Sequence, residues 1–448
     1  MDDTVFALSS GQGRAGIAVI RISGPNAADA LSGPSALGGT DLPPPRKAVV
    51  RRLTDPRTYE QLDQALVLWL PGPGTVTGED MAELHVHGST AVVAGVLDAL
   101  STLVGFRLAE PGEFTRRAFA NGRMDLTQVE GLADLIDAET AGQRRLALAQ
   151  AEGGLTARCA DWKAQLVKAL ALIEAEIDFS DEELPEGLSD QAVAMISHVH
   201  EEMTQILTSA SAGEVMRDGV QVAILGAPNV GKSSLMNRLA RREAAIVSDV
   251  SGTTRDIIDV RLDLDGIPVV LADTSGLRET DDPIEREGIA RAKSKAAAAD
   301  IALWVCDLSN DQDPVWPDGL ETTRRLVIGN KADIAGEGGG QPCDLRLSAA
   351  TGEGLDALEA WLADAARDLA GGSGTSAIVG RARQAAALRE AADGLQRGLY
   401  EARQDAGSEA ALVSEEMRMA LRALGRLVGT VDVEDVLDVI FRDFCIGK

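Results

Sequence analysis

Apolar and polar positions change period several times along this 448-residue chain, and each change marks a different kind of structure. Over residues 1–118, short apolar runs alternate with Gly- and Pro-rich turns. Residues 5–8, 16–22, 65–70 and 82–87 read as strands, the third stopped by a Pro-Gly-Pro-Gly turn at 71–74, and 90–104 reads as a helix. From 119 to 213 the period becomes helical. Leu155, Cys159, Trp162, Leu166, Leu170, Ile173 and Ile177 recur at steps of three and four, which predicts the seam of a helix bundle rather than a cofactor channel. Residues 217–370 alternate strand and helix, the pattern of a parallel α/β sheet, and the linker Gly371-Gly372-Ser373-Gly374 ends this unit. Helical pattern resumes over 373–448, where Val433, Val436, Leu437, Ile440, Phe441 and Phe444 share one face. An α/β unit between two helical stretches predicts that it is inserted into a helical domain, giving a multidomain α/β protein.

The apolar strand 221–225 runs into Gly226-Ala227-Pro228-Asn229-Val230-Gly231-Lys232-Ser233, a GxxxxGK[ST] loop in its required strand–loop–helix setting. Backbone N–H groups of such a loop hold phosphate oxygens, Lys232 neutralises their charge, and the Ser233 hydroxyl ligates Mg²⁺. Asp273-Thr274-Ser275-Gly276 follows a second apolar strand and is placed to sense Mg²⁺ and the γ-phosphate. Asn330-Lys331-Ala332-Asp333 follows a third. A carboxylate at Asp333 accepts from guanine N1–H and the 2-amino group, donors that adenine does not offer there. Ser348-Ala349 is expected to support the base from its other edge, and Gly252-Thr253-Thr254-Arg255-Asp256 supplies a threonine suited to ordering a switch around Mg²⁺. Each motif is short, but five in order on the right elements define a GTP site. Leu277 stands where many small GTPases carry a water-orienting glutamine. Catalysis then needs another such group, and a substitute for the arginine finger, an effect of about 10³–10⁵ in rate. Several carboxylates lie between Arg278 and Glu287, and spacing leaves open which of them acts.

Composition narrows the classes. With 45% hydrophobic and 25% charged residues the chain is of ordinary globular make-up, and its length calls for about three domains. No apolar run approaches the ~20 residues of a membrane span. The acidic start Met1-Asp2-Asp3 is unlike a secretory signal, and four scattered cysteines fit a reducing cytoplasm. A net charge of −27 and only 3% aromatic residues argue against an autonomous RNA binder, so RNA affinity requires a local basic patch or a basic partner.

Motifs outside the nucleotide unit carry a resemblance along nearly the whole chain. Ile20-Arg21-Ile22-Ser23-Gly24, Thr77-Gly78-Glu79-Asp80, Pro111-Gly112-Glu113-Phe114-Thr115, the stretch from Ala118 to Leu126, Ile177-Asp178-Phe179 and the tail Phe444-Cys445-Ile446-Gly447-Lys448 resemble the MnmE (TrmE) tRNA-modification GTPase family. The resemblance implies a mixed α/β folate-binding and dimerisation domain (1–118), an α-helical domain in two parts (119–213 and 373–448) and an inserted Ras-like P-loop G domain (214–372). It implies a cytoplasmic homodimer working with MnmG, a FAD protein, in a heterotetramer that builds an aminomethyl-type group at C5 of the tRNA wobble uridine. The one-carbon donor that the resemblance implies is a tetrahydrofolate derivative (5,10-methylene- or 5-formyl-tetrahydrofolate), with the folate contacts expected at Arg21, Glu83, Arg123 and Lys448. Arginine at 123 departs from the commoner lysine.

The same resemblance replaces the arginine finger by K⁺, held by Asn229, Ser248, Val250 and Thr253 when two G domains meet. It places the water-orienting carboxylate at Glu285, with Thr254 beside the reaction as an Mg²⁺ ligand. The GTP contacts it implies run through Asn229, Val230, Gly231, Lys232, Ser233 and Ser234, then Ser248, Asp249, Val250, Ser251, Gly252, Thr253 and Thr254. They continue through Asp273, Thr274, Ser275, Gly276, Asn330, Lys331, Asp333, Ser348 and Ala349. Ser275 stands where alanine is commoner. The competing reading is an Era- or EngA-like ribosome-assembly switch, which calls for a basic RNA-binding module that the sequence does not show. Cys445 reads as a buried thiol in the tail. His85 and His87 alternate on one strand without an evident third metal ligand, and His198 and His200 face different sides of a helix.

Overall fold

The computed structural model describes the chain except residues 1–2, 34–35, 179–187, 243, 247–259, 274–298, 311–315, 317–323, 336–341, 373–376, 404–409, 432–436, 438–439, 442–443, 445 and 448. Two compact units emerge: residues 1–133 with 425–448, and residues 134–424.

The first unit is built on a six-stranded sheet of β1 (Thr4–Leu8), β2 (Ala15–Ser23), β3 (Val49–Thr54), β4 (Gln61–Leu70), β5 (Met81–Gly88) and β6 (Phe106–Leu108). Their spatial order is β3-β4-β5-β2-β1-β6, antiparallel throughout except for the parallel β1–β6 pair. Strict alternation on β5 sends Ala82, Leu84 and Val86 into a core shared with helix α1 (Thr90–Ser101), so Glu83, His85 and His87 stand on the opposite face. The Ser89 hydroxyl caps α1 by accepting from Val92 N at 3.2 Å. The helix stops at Ser101, three residues short of the expected end at 104: Thr102 N and Leu103 N close tighter turns onto Ala99 O and Leu100 O, the Thr102 hydroxyl also donates to Ala99 O at 2.7 Å, and Gly105 then turns left-handed at φ +82°. Strands β3 and β6, absent from the sequence reading, have weak patterns: Val49-Val50-Arg51-Arg52 is half charged and Phe106-Arg107-Leu108 spans one pleat.

Helix α2 (Glu113–Ala120) carries Arg117, which is 0% exposed and meets three carboxylates. It reaches Asp3 Oδ1 at 2.8 Å, Glu79 Oε2 at 3.1 Å and Glu113 Oε1 at 2.9 Å, and it also donates to the Asp3 carbonyl at 2.9 Å. Arg107 closes the cluster onto Glu113 at 2.6 Å. Burial pushes the Glu113 carboxyl up, but the Arg107 and Arg117 guanidinium groups and the Glu110 N–H outweigh it, so its pKa is lowered. The C-terminal segment belongs to this unit. Leu437, Ile440, Phe441 and Phe444 pack with Leu126 and Val129 of helix α3 (Leu126–Asp137), as the shared face predicts, while Val433 and Val436 lie outside the described residues. Ile446 bridges Pro111, and Ser9 Oγ donates to Gly447 O at 2.7 Å.

The second unit opens with α4 (Ala141–Ala151), α5 (Gly154–Asp178), α6 (Leu188–Thr208) and α7 (Ala210–Asp218). The predicted stripe lies on α5: Leu155, Cys159, Trp162, Leu166 and Ile173 are buried, Leu170 is half-buried, and Ile177 at its end is 39% exposed. The Trp162 Nε1–H donates to Glu202 on α6 at 2.7 Å, which satisfies its one polar atom. A second six-stranded sheet follows, from β7 (Val220–Leu225), β8 (Val260–Leu264), β9 (Ile267–Asp273), β10 (Ile301–Asp307), β11 (Arg324–Asn330) and β12 (Leu345–Arg346). Its order is β12-β11-β10-β7-β9-β8, parallel except for the β8–β9 hairpin at the edge. Helices α8 (Lys232–Leu239) and α9 (Leu355–Leu369) supply apolar residues to its core, and α10 (Ala382–Ala402) and α11 (Ala410–Val428) return to the helical part, where α10 packs on α6. After β7 the chain first fills one side of that strand and then crosses to β10 on the other. The crevice at the carboxyl end of β7 is therefore the switch point at which such sheets bind ligands.

Replacing Arg117 by methionine nearly keeps the volume but removes the guanidinium opposite Glu79 and leaves Asp3 and Glu113 to Arg107 alone, so the first unit should lose about 3 kcal/mol. The lowered carboxyl pKa values contribute stability above the ordinary value of about 4 and lose it as pH falls through the folded value. Thermal unfolding of wild type and Arg117→Met should therefore differ at pH 7 and converge in acid.

Candidate nucleotide site

At that crevice β7 ends in the loop 226–231, whose backbone takes forms that side chains resist. Gly226 has φ +140°, and a Cβ there would lie 2.2 Å from the Val305 carbonyl oxygen. Gly231, the residue before α8, has φ +101°, and its Cβ would fall 2.2 Å from Asn330 Nδ2. Asn229 between them is left-handed at φ +62°. The loop folds over Lys232, whose ammonium donates to Gly226 O at 2.9 Å and Ala227 O at 3.0 Å and is buried. Ser233 and Ser234 follow, exposed on the first turn of α8. A glycine-rich loop closed over a buried ammonium and leading into a helix N-terminus suits a polyphosphate, and the Ser233 hydroxyl beside it suits Mg²⁺.

Asn330 ends β11, is 2% exposed, and spends both ends of its amide. Nδ2 donates to Val230 O at 2.7 Å, and Oδ1 accepts from Ala349 N at 2.9 Å. One side chain thus ties the phosphate loop to the Ser348–Ala349 turn. Lys331 adopts φ +64°, a conformation costing an L-residue about 1–2 kcal/mol, and its ammonium meets Asp307 Oδ2 at 2.6 Å. Asp333 is exposed and oriented by the buried Ser348 hydroxyl, which donates to its Oδ1 at 2.6 Å. Ala332 N bonds Leu347 O at 3.1 Å, pinning the same turn.

Val230, Gly231, Lys232, Asn330, Lys331, Asp333, Ser348 and Ala349 therefore form one connected set. Asp273 ends β9 in register with Ile224, beside the start of the phosphate loop. Ser248, Asp249, Val250, Ser251, Gly252, Thr253, Thr254, Thr274, Ser275, Gly276, Glu285, Cys445 and Lys448 lie outside the described residues. Sequence reasoning missed Asp307. Burial pushes its carboxyl up, but the Lys331 ammonium and the Ser309 hydroxyl and N–H outweigh this, leaving its pKa lowered. An Asp-x-Ser at the end of an apolar strand was the available signal.

On the first unit's sheet, Arg21 and Glu83 are direct cross-strand neighbours on β2 and β5. Nε and Nη2 of Arg21 reach Glu83 Oε1 at 3.1 and 3.0 Å, and its guanidinium lies 5.8 Å from the Phe114 ring centroid. His85 Nε2 is 3.4 Å from Glu83 Oε2, whereas His87 turns to Asp63 at 2.8 Å. The two histidines therefore do not converge, and no metal-holding cluster occurs among the described residues. Arg123 Nε donates to Thr75 O at 3.2 Å. Nor is any described helix long and apolar enough to cross a membrane.

A phosphate loop on the central strand, bound by one asparagine to an Asn-Lys-x-Asp turn, defines a P-loop GTPase. Two family models match the chain: "GTP-binding protein TrmE N-terminus" over residues 4–123 and "MnmE helical domain" over residues 126–445. The tRNA modification GTPase MnmE of Parvibaculum lavamentivorans is 50% identical over 100% of both chains. Those of Rhodospirillum rubrum and a Methylobacterium are 50% and 51% identical, again covering all of this chain and 99% and 100% of the relatives. The chain belongs to the MnmE family of tRNA modification GTPases. A match through the N-terminal and helical regions sets aside the ribosome-assembly alternative, which rested on the nucleotide motifs alone.

Replacing Asn330 by alanine orphans a buried carbonyl and a buried N–H at once, each worth about 1–3 kcal/mol. GDP affinity measured by calorimetry should fall at least tenfold, with a lower melting temperature for the second unit.

Proposed function

We propose that GTP hydrolysis by this chain drives modification of the tRNA wobble uridine at C5, carried out with an MnmG-type flavoprotein. The Asn330 bridge carries the nucleotide half of this reading, because it holds the phosphate and base elements at a fixed separation. In the reaction Lys232 and the loop amides bind the β- and γ-phosphates, and Asp333 accepts the guanine N1–H and 2-amino group. Asn330 and Ala349 support the base, and the Ser233 hydroxyl, with Thr254, holds Mg²⁺, which neutralises phosphate charge when bound. Glu285 orients the attacking water. Asn229, Ser248, Val250 and Thr253 would hold K⁺, which would supply the positive charge of an arginine finger when two G domains meet.

The Arg21–Glu83 pair supports the folate half. Both side chains remain accessible, at 24% and 18% exposure, and Arg21 keeps Nη1 uncommitted to Glu83 for a carboxylate or a pterin oxygen. Arg123 and Lys448 complete that set, and a bound tetrahydrofolate supplies the one-carbon unit. The chain acts as a homodimer in the cytoplasm. Its charge of −27 leaves much of the tRNA affinity to basic surfaces of the flavoprotein partner.

GTP turnover in K⁺ and in Na⁺ at matched ionic strength tests the reading. Wild type should be much faster in K⁺, and Glu285→Ala should be slow in both while still binding nucleotide. Equal rates in the two salts sink the cation mechanism. Arg21→Ala should lose tetrahydrofolate binding with K⁺-dependent GTP turnover intact.

A further inference from the structure

Asp307 closes β10 and is 8% exposed, next to the base-reading turn but outside its motif. Its two carboxylate oxygens do separate jobs. Oδ1 accepts from Ser309 N at 2.9 Å and Ser309 Oγ at 2.6 Å, a local turn that ends the strand. Oδ2 accepts from the Lys331 ammonium at 2.6 Å. In the β10–β11 ladder Asp307 stands opposite Asn330, and Leu308 N donates to Asn330 O at 3.1 Å. The backbone of the motif is thereby held by β10 on one side while the Asn330 amide reaches the phosphate loop on the other. Lys331, between the bridging asparagine and the exposed Asp333, sits in the left-handed region that an unanchored lysine tends to leave.

We propose that Asp307 is a positioning residue for guanine recognition: by anchoring Lys331 it fixes the turn from Asn330 to Asp333, and so the aim of the Asp333 carboxylate. The inference rests on the reading of Asp333 as the acceptor of guanine N1–H and the 2-amino group. A charge-assisted pair with its carboxylate buried and its ammonium one-third exposed holds this geometry before nucleotide arrives, so ordering the turn is not left to the binding step.

The substitution Asp307→Asn isolates the effect. Asparagine keeps an oxygen for the Ser309 turn and loses the acceptor for Lys331. Affinities for GDP and for inosine diphosphate, which lacks the 2-amino group, are measured on the full chain for wild type, Asp307→Asn, Lys331→Met and the double variant. Asp307→Asn should bind GDP about tenfold more weakly, with a narrower gap between GDP and inosine diphosphate. Its KM for GTP should rise about tenfold with kcat within about twofold of wild type. The double variant should bind GDP no more weakly than Lys331→Met alone, because the aspartate acts through the lysine. A preference for GDP in wild type, with unaltered GDP affinity in Asp307→Asn, overturns the proposal alone. So does an equal loss in the Lys331→Met background. A wild type that binds the two nucleotides alike overturns the base reading, and the proposal with it.

Discussion

One buried asparagine amide sets the geometry on which the nucleotide site depends. Asn330 donates to the Val230 carbonyl and accepts from Ala349 N, so the phosphate loop, the Asn-Lys-x-Asp turn and the Ser-Ala turn cannot move independently. At 2% exposure the bridge has little competition from water. The glycine at 231 follows from it, since any Cβ there would occupy the space of the Asn330 amide nitrogen. So does the placement on the sheet. The bridge spans from the end of β11 across β10 to the loop after β7, and all three are parallel and in order. The phosphate loop and the Asn-Lys-x-Asp turn, far apart in sequence, are held side by side because a single side chain joins them.

The first unit relies on a comparable device with charge in place of an amide. Arg117 gathers the Asp3, Glu79 and Glu113 carboxylates, and through Glu79 and the Ser23 hydroxyl it reaches the loop at 75–79. Arg123 bonds the Thr75 carbonyl of that same loop. An isolated buried guanidinium is costly, and here every neighbour that offsets the cost comes from a different segment, so the pair of motifs TGED and PGEFT is held in one arrangement. Arg21 and Glu83, by contrast, are half-open to solvent and joined only to each other and to nearby side chains. The first cluster is closed to solvent at Arg117, and the second stays accessible.

How much of this was legible in the sequence depended on how local each signal is. The phosphate loop and the α5 stripe are contiguous patterns, and both appear where they were read. The α1 end was overrun because Leu103 and Val104 continue the apolar count, while the helix ends earlier through tighter turns at Thr102 and Leu103 that no apolar count records. β3 was missed because its two valines are followed directly by two arginines, which gives no apolar–polar alternation on a partly exposed strand. The C-terminal stripe was read correctly as amphipathic, but no periodicity says that its partners are Leu126 and Val129, about 300 residues earlier in sequence. Asp307 was missed for a related reason. Its importance lies in register with Asn330 across a ladder, and a ladder is invisible until the strands are paired.

The central claim, that the turn after β11 reads guanine through Asp333 while Asn330 holds it to the phosphate loop, has a direct chemical test. Asp333→Asn exchanges an acceptor pair for an amide that can donate to the 2-oxo group of xanthine. Hydrolysis of GTP and of xanthosine triphosphate should be measured side by side for wild type and this variant. The account predicts that the variant loses GTP turnover at low substrate and gains turnover of xanthosine triphosphate. A variant that keeps its preference for GTP contradicts it.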